Sequence, residues 1–134
     1  MTGETPDITQ GDALLDSKRR QDAVSATGFD WPDISGVLDK IAEELGEVRD
    51  ALDKNDRKHA QRELGDLLLA TVNAARFLDA DPALELRRAT DRLCTRVQKV
   101  RALCEKRGIN MQTCTLCALD ALWNEVKDQE GATT

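Results

Sequence analysis

The sequence contains no tyrosine, and only four of its 134 residues are aromatic. Sandwiches and barrels of β-strands are built largely from β-branched and aromatic residues, so this composition argues against both. There is also no run of about 18 apolar residues, which a membrane-spanning helix requires. Leu, Ala, Glu, Lys and Arg together make up nearly half of the chain instead, which is typical of helical proteins. We therefore expect an all-α fold that does not enter a membrane.

Positive charge is also in short supply. Nineteen Lys and Arg residues stand against 25 Asp and Glu residues, which gives a net charge of −6. Such a chain lacks the basic surface that binds nucleic acids or anionic membranes without specificity, so we expect neither partner. A substrate that carries phosphates would need metal ions or a local group of Lys and Arg. The first 20 residues are polar and acidic, unlike a secretory signal, and we expect a cytoplasmic protein.

Four cysteines stand at positions 94, 104, 114 and 117. In the cytoplasm they are expected as thiols. Cys114 and Cys117 are the one close pair, but a redox motif would need a strand-to-helix context, and the spacing matches no familiar zinc ribbon. Buried or half-buried structural thiols are the favoured interpretation, with metal binding and redox chemistry as alternatives.

Apolar residues recur at helical spacing in five segments. The predicted helices cover about residues 11–26, 34–54 and 57–79, then a stretch from Asp81-Pro82 to a stop at Gly108, and last about 114–128. Short connections between them indicate a helical bundle. We expect a single domain over residues 11–128, between flexible tails at 1–10 and 129–134.

Polar residues accompany the apolar stripe of the second predicted helix. Lys40, Glu44 and Glu47 are spaced i, i+4 and i+7, so they form one column at about 100° per residue. Glu43 is expected to point well away from this column.

The third predicted helix has a similar column, formed by Glu63, Asp66 and Asn73 at i, i+3 and i+10. If the two helices pack as an antiparallel hairpin, both columns line the same groove. Four carboxylates then converge, those of Glu44, Glu47, Glu63 and Asp66.

Converging carboxylates repel one another unless cations neutralise them. Oxygen ligands without His or Cys suit Mg²⁺, with Mn²⁺ as a substitute. The alternative is a set of solvated acids, since a chain with 25 acids produces such spacings by chance. A di-iron site would need Glu-x-x-His motifs. The one histidine, His59, has no Glu three residues before it, and we expect it to be exposed near a turn.

Basic residues form a second group. Arg88, Arg92 and Arg96 follow one another at intervals of four, and Trp123 and Lys127 repeat that interval near the end of the chain. Guanidinium groups in a row suit phosphate oxygens. A solvated face is the alternative for the arginines, and packing in the core is the alternative for Trp123.

Together these residues strongly resemble the MazG family of nucleoside triphosphate pyrophosphohydrolases. The family pattern E-E-x-x-E, followed by E-x-x-D, reads here as Glu43-Glu44-Leu-Gly-Glu47 and Glu63-Leu-Gly-Asp66. The likeness covers about residues 11–127 and is closest to the catalytic second copy of tandem members. Its flanks are Gly28-Phe29-Asp30-Trp31-Pro32, Val37-Leu38-Asp39-Lys40, Gly65-Asp66-Leu67-Leu68, Val72-Asn73-Ala74-Ala75-Arg76 and Leu122-Trp123-Asn124-Glu125-Val126-Lys127.

The resemblance implies the all-α NTP pyrophosphatase fold and Mg²⁺-dependent hydrolysis of NTP or dNTP to the monophosphate and pyrophosphate. It also implies nucleotide-pool housekeeping and a homodimer or homotetramer. The implied metal ligands are Glu44, Glu47, Glu63 and Asp66. The implied substrate contacts are Lys40, Asn73, Arg92, Arg96, Trp123 and Lys127.

The chemistry expected on this basis is metal-assisted attack of water on the triphosphate. Lys40, Arg92 and Arg96 would stabilise the developing negative charge, and Glu47 or Glu43 would take the proton of the water.

Two other hypotheses stay open. A dUTPase-like, dCTPase-like or phosphoribosyl-ATP pyrophosphohydrolase of the same fold would keep the carboxylates and change the base pocket. The departures from the family pattern, which bear on nucleotide preference, lie at residues 92–97 and 111–117. A helical interaction protein without catalysis would keep the apolar stripes and have no use for the four carboxylates.

Overall fold

The structure is a computed structural model that describes residues 8–132, and this described part contains five helices and no strand. The helices are α1 (Ile8–Ser25), α2 (Ile34–Asp53), α3 (Arg57–Phe77), α4 (Pro82–Arg107) and α5 (Leu116–Ala132). The predicted all-α fold is therefore confirmed. None of these helices is long and apolar enough to cross a membrane.

The starts of the three central helices follow local capping signals. Asp33 and Asp56 precede α2 and α3, and each side chain accepts a hydrogen bond from a backbone N–H of the first turn. Asp81 does the same for α4, which begins at Pro82, where a missing N–H costs no helical hydrogen bond. These signals explain why the predicted bounds of α2, α3 and α4 lie close to the observed ones.

The two terminal helices differ more from their predicted bounds. α1 already begins at Ile8, and α5 begins at Leu116 and continues to Ala132. Residues 8–10 and 129–132, which were expected to belong to flexible tails, are thus helical. The remaining parts of the predicted tails, 1–7 and 133–134, lie outside the described residues. No proline or regular apolar pattern marks the end of α5 in the sequence.

The chain divides into two compact units, Met1–Glu85 and Leu86–Thr134. In the first unit α2 and α3 pack extensively against each other as a hairpin, and α1 packs on α3. The turn between α2 and α3 contains Asn55 with a φ of 56°, a left-handed conformation that asparagine tolerates well. Small side chains at the helix contacts allow a close approach, and the buried apolar residues of this unit are Val37, Ala51, Ala60, Ala70, Val72, Ala74 and Ala75.

The second unit has its own core, made by α4 and α5. Val100, Cys104, Leu122 and Val126 are buried there. Cys104 therefore fits the interpretation as a structural thiol, and half-buried Cys114 fits it too. That interpretation is wrong for Cys94 and Cys117, which are exposed.

The apolar stripe predicted for α2 is only partly buried. Val37 and Ala51 are buried. Leu38, Leu45 and Leu52, which are spaced seven residues apart, remain about half exposed. Leu64 and Leu68 of α3 are exposed to a similar degree. The hairpin thus has apolar surface that the first unit does not cover.

Candidate functional site

The α2–α3 hairpin brings the two predicted columns of carboxylates together. One carboxylate oxygen each of Glu44, Glu63 and Asp66 lies within 4.8 Å of the other two. Glu44 also forms a second group of this kind with Glu43 and Glu47. Because Glu44 belongs to both groups, it joins the ligand candidates of α2 to those of α3. The convergence expected from helical spacing is therefore present.

Two of these carboxylates are buried. Glu44 is 5% exposed and Glu63 is 8% exposed. With all carboxyl groups ionised, Oε2 of each has no hydrogen-bond partner among the described residues. Burying a carboxylate oxygen without a partner costs free energy, and a bound cation would remove that cost. The donors are carboxylate oxygens alone, and exposed Asp66 leaves the groups open to water, a donor set that fits Mg²⁺ or Mn²⁺.

Lys40 lies at the edge of the carboxylates and neutralises part of their charge. Its Nζ is 2.7 Å from Oε2 of Glu43 and 3.2 Å from Oε1 of Glu44. The pKa of Lys40 is raised above its usual value, mainly by the hydrogen bond to Glu43 and secondly by the one to Glu44, so the ammonium stays charged.

The expectation that Glu43 points away from the column is only half right. Its side chain is 54% exposed, but its carboxylate reaches Lys40 and lies beside those of Glu44 and Glu47. Helical spacing describes the Cβ direction, and rotation about the side-chain bonds of a glutamate allows its carboxylate to lean toward an ion-pair partner at i−3. Glu43 is thus part of the candidate site.

Glu47 and Glu63 compete for a proton. The pKa of Glu47 is raised to about 7, first by a hydrogen bond with Glu63 and then by the negative charges of Glu44 and Glu63. The pKa of Glu63 is lowered, and its hydrogen bond with Glu47 is the largest cause. Without a metal, the proton on Glu47 relieves the repulsion that a cation would otherwise relieve.

This raised pKa predicts how the stability of the metal-free protein depends on pH. Between its ordinary pKa of 4.5 and about 7, Glu47 is protonated in the folded protein and ionised in the unfolded chain. Unfolding therefore releases a proton in this window, and we expect the melting temperature to fall as the pH rises from 5 to 7. Excess Mg²⁺ should abolish the fall, because the ion replaces the proton. Differential scanning fluorimetry over this range measures both curves.

Glu47→Gln is the matched control, because it cannot ionise and should flatten the metal-free curve. The carboxyls whose pKa is lowered, such as Asp22, Asp30 and Glu63, lose their contribution only when the pH falls below 4.5, outside this window. A metal-free melting temperature that rises between pH 5 and 7 would contradict the shared proton.

Sequence analysis missed the contact of His59 with the carboxylates. The ring is half exposed near the inter-helix turn, as expected, but its Nε2 lies 3.1 Å from Oε1 of Glu63. The available signal was the i, i+4 spacing of His59 and Glu63, which places the two side chains next to each other on α3.

Asn73, the last member of the α3 column, lies about two helical turns after Asp66. Its Oδ1 accepts a hydrogen bond of 2.6 Å from Nη1 of Arg76. Both residues line a cavity of about 810 Å³, together with residues of α1 and the segment 28–31. Trp31 forms part of the wall and lies so close to Gly36 that a Cβ there would stand 2.4 Å from its Cε3. The absence of a Cβ at Gly36 therefore makes room for the ring of Trp31.

The other predicted substrate contacts belong to the second unit. Cζ of Arg96 lies 5.7 Å from the ring centroid of Trp123, and Nε of Arg96 donates a hydrogen bond of 2.9 Å to Glu130. Trp123 also packs against the core of this unit. Arg92 and Lys127 are exposed. Arg96 and Trp123 thus form a cation–π pair, while the roles of all four residues stay predictions.

Comparison with known proteins gives the family. A family model described as the MazG nucleotide pyrophosphohydrolase domain matches residues 34–104. The chain is 40% identical over 115 residues to the nucleoside triphosphate pyrophosphohydrolase/pyrophosphatase MazG of Thermotoga maritima, covering 86% of this chain and 44% of that protein. It is 34% identical over 122 residues to the nucleoside triphosphate pyrophosphohydrolase of Escherichia coli K12, covering 88% and 46%.

The chain spans less than half the length of these curated relatives. The matched region contains α2, α3 and most of α4, and with them every carboxylate of the candidate site. Because the family model matches more than half of the chain, the protein belongs to the MazG nucleotide pyrophosphohydrolase domain family.

Proposed function

We propose that the protein hydrolyses nucleoside triphosphates to the monophosphate and pyrophosphate with Mg²⁺ held by four carboxylates. The observation that supports this most directly is the convergence of Glu44, Glu63 and Asp66, in which two buried oxygens have no partner among the described residues. Glu47 completes the proposed ligand set from α2. The names of the two relatives support the same reaction.

Bound Mg²⁺ would supply a Lewis acid that polarises phosphate oxygens and makes water more acidic. Glu43 is our first candidate for the group that accepts the proton of the attacking water. It lies beside Glu44 and Glu47, it is exposed, and it is outside the proposed ligand set. Glu47 is the second candidate.

Lys40 is proposed to stabilise negative charge on the triphosphate. Its ammonium is 42% exposed and lies 3.2 Å from the ligand candidate Glu44, so it can contact a phosphate oxygen next to a metal ligand. Phosphate contacts by Arg92, Arg96 and Lys127, and nucleotide contacts by Asn73 and Trp123, are supported by the family resemblance and stay predictions.

We also propose that the protein is a homodimer or homotetramer. The half-exposed residues Leu38, Leu45 and Leu52 lie on one face of α2, and α3 adds Leu64 and Leu68. A second copy that packs on this surface would bury apolar area that a single first unit leaves in water. The expected cytoplasmic location and the housekeeping role rest on composition and resemblance, and they stay predictions as well.

Product analysis tests the proposed reaction. We expect the protein with Mg²⁺ to convert NTPs and dNTPs into equal amounts of monophosphate and pyrophosphate, measured by anion-exchange chromatography across a panel of bases. Formation of diphosphate and inorganic phosphate would contradict the proposal. Turnover confined to dUTP, dCTP or phosphoribosyl-ATP would identify one of the selective alternatives. No turnover, and no rise in melting temperature with Mg²⁺ and nucleotide, would favour an interaction protein.

A further inference from the structure

The two buried carboxylates of the candidate site share one local arrangement. Each has one oxygen in contact with a side chain four residues earlier on its own helix. Nζ of Lys40 lies 3.2 Å from Oε1 of Glu44, and Nε2 of His59 lies 3.1 Å from Oε1 of Glu63. In both glutamates the other oxygen, Oε2, is buried and has no partner among the described residues when the carboxyl groups are ionised. The contact of His59 with Glu63 therefore has the same helical spacing as the contact of Lys40 with Glu44.

The hydrogen bond between His59 and Glu63 has a defined direction. An ionised Glu63 carboxylate can only accept a hydrogen bond. In this contact Nε2 of His59 therefore carries a hydrogen and donates the hydrogen bond. The backbone of His59 is also held, because its N–H donates a hydrogen bond of 3.1 Å to the capping side chain of Asp56. His59 thus lies in the first turn of α3, with Glu63 one turn further along.

We propose that His59 is a positioning residue of the metal site, which holds Oε1 of Glu63 so that Oε2 stays free for the divalent cation. The inference rests on the metal site of the proposed function. It differs from the role of Lys40 in the donor, which is an imidazole N–H where Lys40 supplies an ammonium. Partners of this kind fix the geometry of metal ligands, and their loss typically weakens metal binding by about 10- to 100-fold.

Binding of Mn²⁺ to the metal-free protein tests this proposal. Isothermal titration calorimetry at pH 8 should show that His59→Leu raises the Kd for Mn²⁺ by about 10-fold. The low end of the range applies because the His59 side chain is 47% exposed. His59→Gln keeps an N–H donor at the same helical spacing and should restore most of the affinity. Leu and Gln favour helix at least as well as His, so α3 should stay folded in both variants, which circular dichroism can verify.

A kinetic measurement separates positioning from a general structural defect. In His59→Leu the Mg²⁺ concentration for half-maximal pyrophosphate release should rise by the same factor as the Kd, while kcat at saturating Mg²⁺ stays near that of the unchanged protein. His59 is the one histidine of the chain, so its imidazole gives a single set of NMR signals. These signals should shift on titration with Mg²⁺.

Glu63→Gln separates failure of this inference from failure of the metal site. If Glu63→Gln leaves Mn²⁺ binding unchanged, the proposed metal site is wrong, and the inference is overturned with it. If Glu63→Gln weakens binding but His59→Leu does not, the metal site stands and the role of His59 is overturned. Binding by His59→Gln that is as weak as that by His59→Leu would also overturn it, because the donated hydrogen bond would then not be what matters.

Discussion

Glu44→Gln and Asp66→Asn should each lower the rate of pyrophosphate release by about 100- to 1000-fold at fixed Mg²⁺. Each change replaces a negatively charged oxygen of a proposed metal ligand with a neutral amide of nearly the same size. A bound metal contributes several kcal/mol to stabilising charge in the transition state, and about 3–4 kcal/mol corresponds to this loss in rate. Glu44 should show the larger effect, because it alone belongs to both carboxylate groups. A pyrophosphate-release assay at several Mg²⁺ concentrations measures both.

Thermal stability distinguishes loss of the metal site from loss of the fold. Glu44→Gln removes a buried negative charge from a repelling group, so the metal-free variant should melt no lower than the unchanged protein. Addition of Mg²⁺ should stabilise it less than it stabilises the unchanged protein.

Asp50→Asn is the matched control, since Asp50 is an exposed carboxylate on the same helix and belongs to neither carboxylate group. If Glu44→Gln and Asp66→Asn are as active as the control, the carboxylates of Glu44 and Asp66 have no part in the reaction.

The acidic site could be predicted from the sequence because it depends mainly on helical spacing. Glu44 and Glu47 share a column on α2, Glu63 and Asp66 share one on α3, and a short turn brings the helices back alongside each other. The caps at Asp33 and Asp56 fixed where each helix starts, and hence which side chains face the groove. Once the starts and the hairpin are known, the convergence follows from geometry.

Contacts that depend on side-chain conformation or on distant segments could not be predicted in the same way. Glu43 joins the site because its side chain leans toward Lys40, and spacing alone placed it outside. The exposure of Leu38 and Leu45 depends on which surfaces other helices cover, which a stripe of apolar residues does not specify. These differences come from tertiary packing and are not errors in the helical periodicity.

Arg76 is a further residue whose role appears only in the folded chain. Its side chain is 10% exposed and connects three separate segments of the first unit. Nε donates to Asp22 of α1 at 2.9 Å, Nη1 and Nη2 donate to Asp30 at 3.2 and 2.7 Å, and Nη1 also donates to Asn73. The segments Gly28–Pro32 and Val72–Arg76, which flank the carboxylate motifs in the sequence, are therefore held together by a bidentate ion pair.

Arg76→Met should lower the free energy of unfolding by about 2 kcal/mol, measured by urea titration. Removing one member of a fully buried ion pair costs about 3–5 kcal/mol, since the partner loses its counter-ion. The loss here should be smaller because Asp22 and Asp30 keep 46% and 24% exposure and stay partly hydrated. Methionine preserves most of the length of the side chain, so the change tests charge and hydrogen bonding more than packing.

The matched control is Arg49→Met on α2, where the arginine is exposed and forms no ion pair among the described residues, and it should change stability little. A double-mutant cycle with Asp30→Asn then tests the ion pair itself. If Arg76 acts through Asp30, the two losses should not add, and Asp30→Asn should cost little once Arg76 is gone. Full additivity, or an Arg76→Met variant as stable as Arg49→Met, would show that the three segments are held together by apolar packing instead. A salt titration provides an independent test of the ion pair. Because the pair is partly in contact with water, high salt should reduce the difference in the free energy of unfolding between Arg76→Met and the unchanged protein.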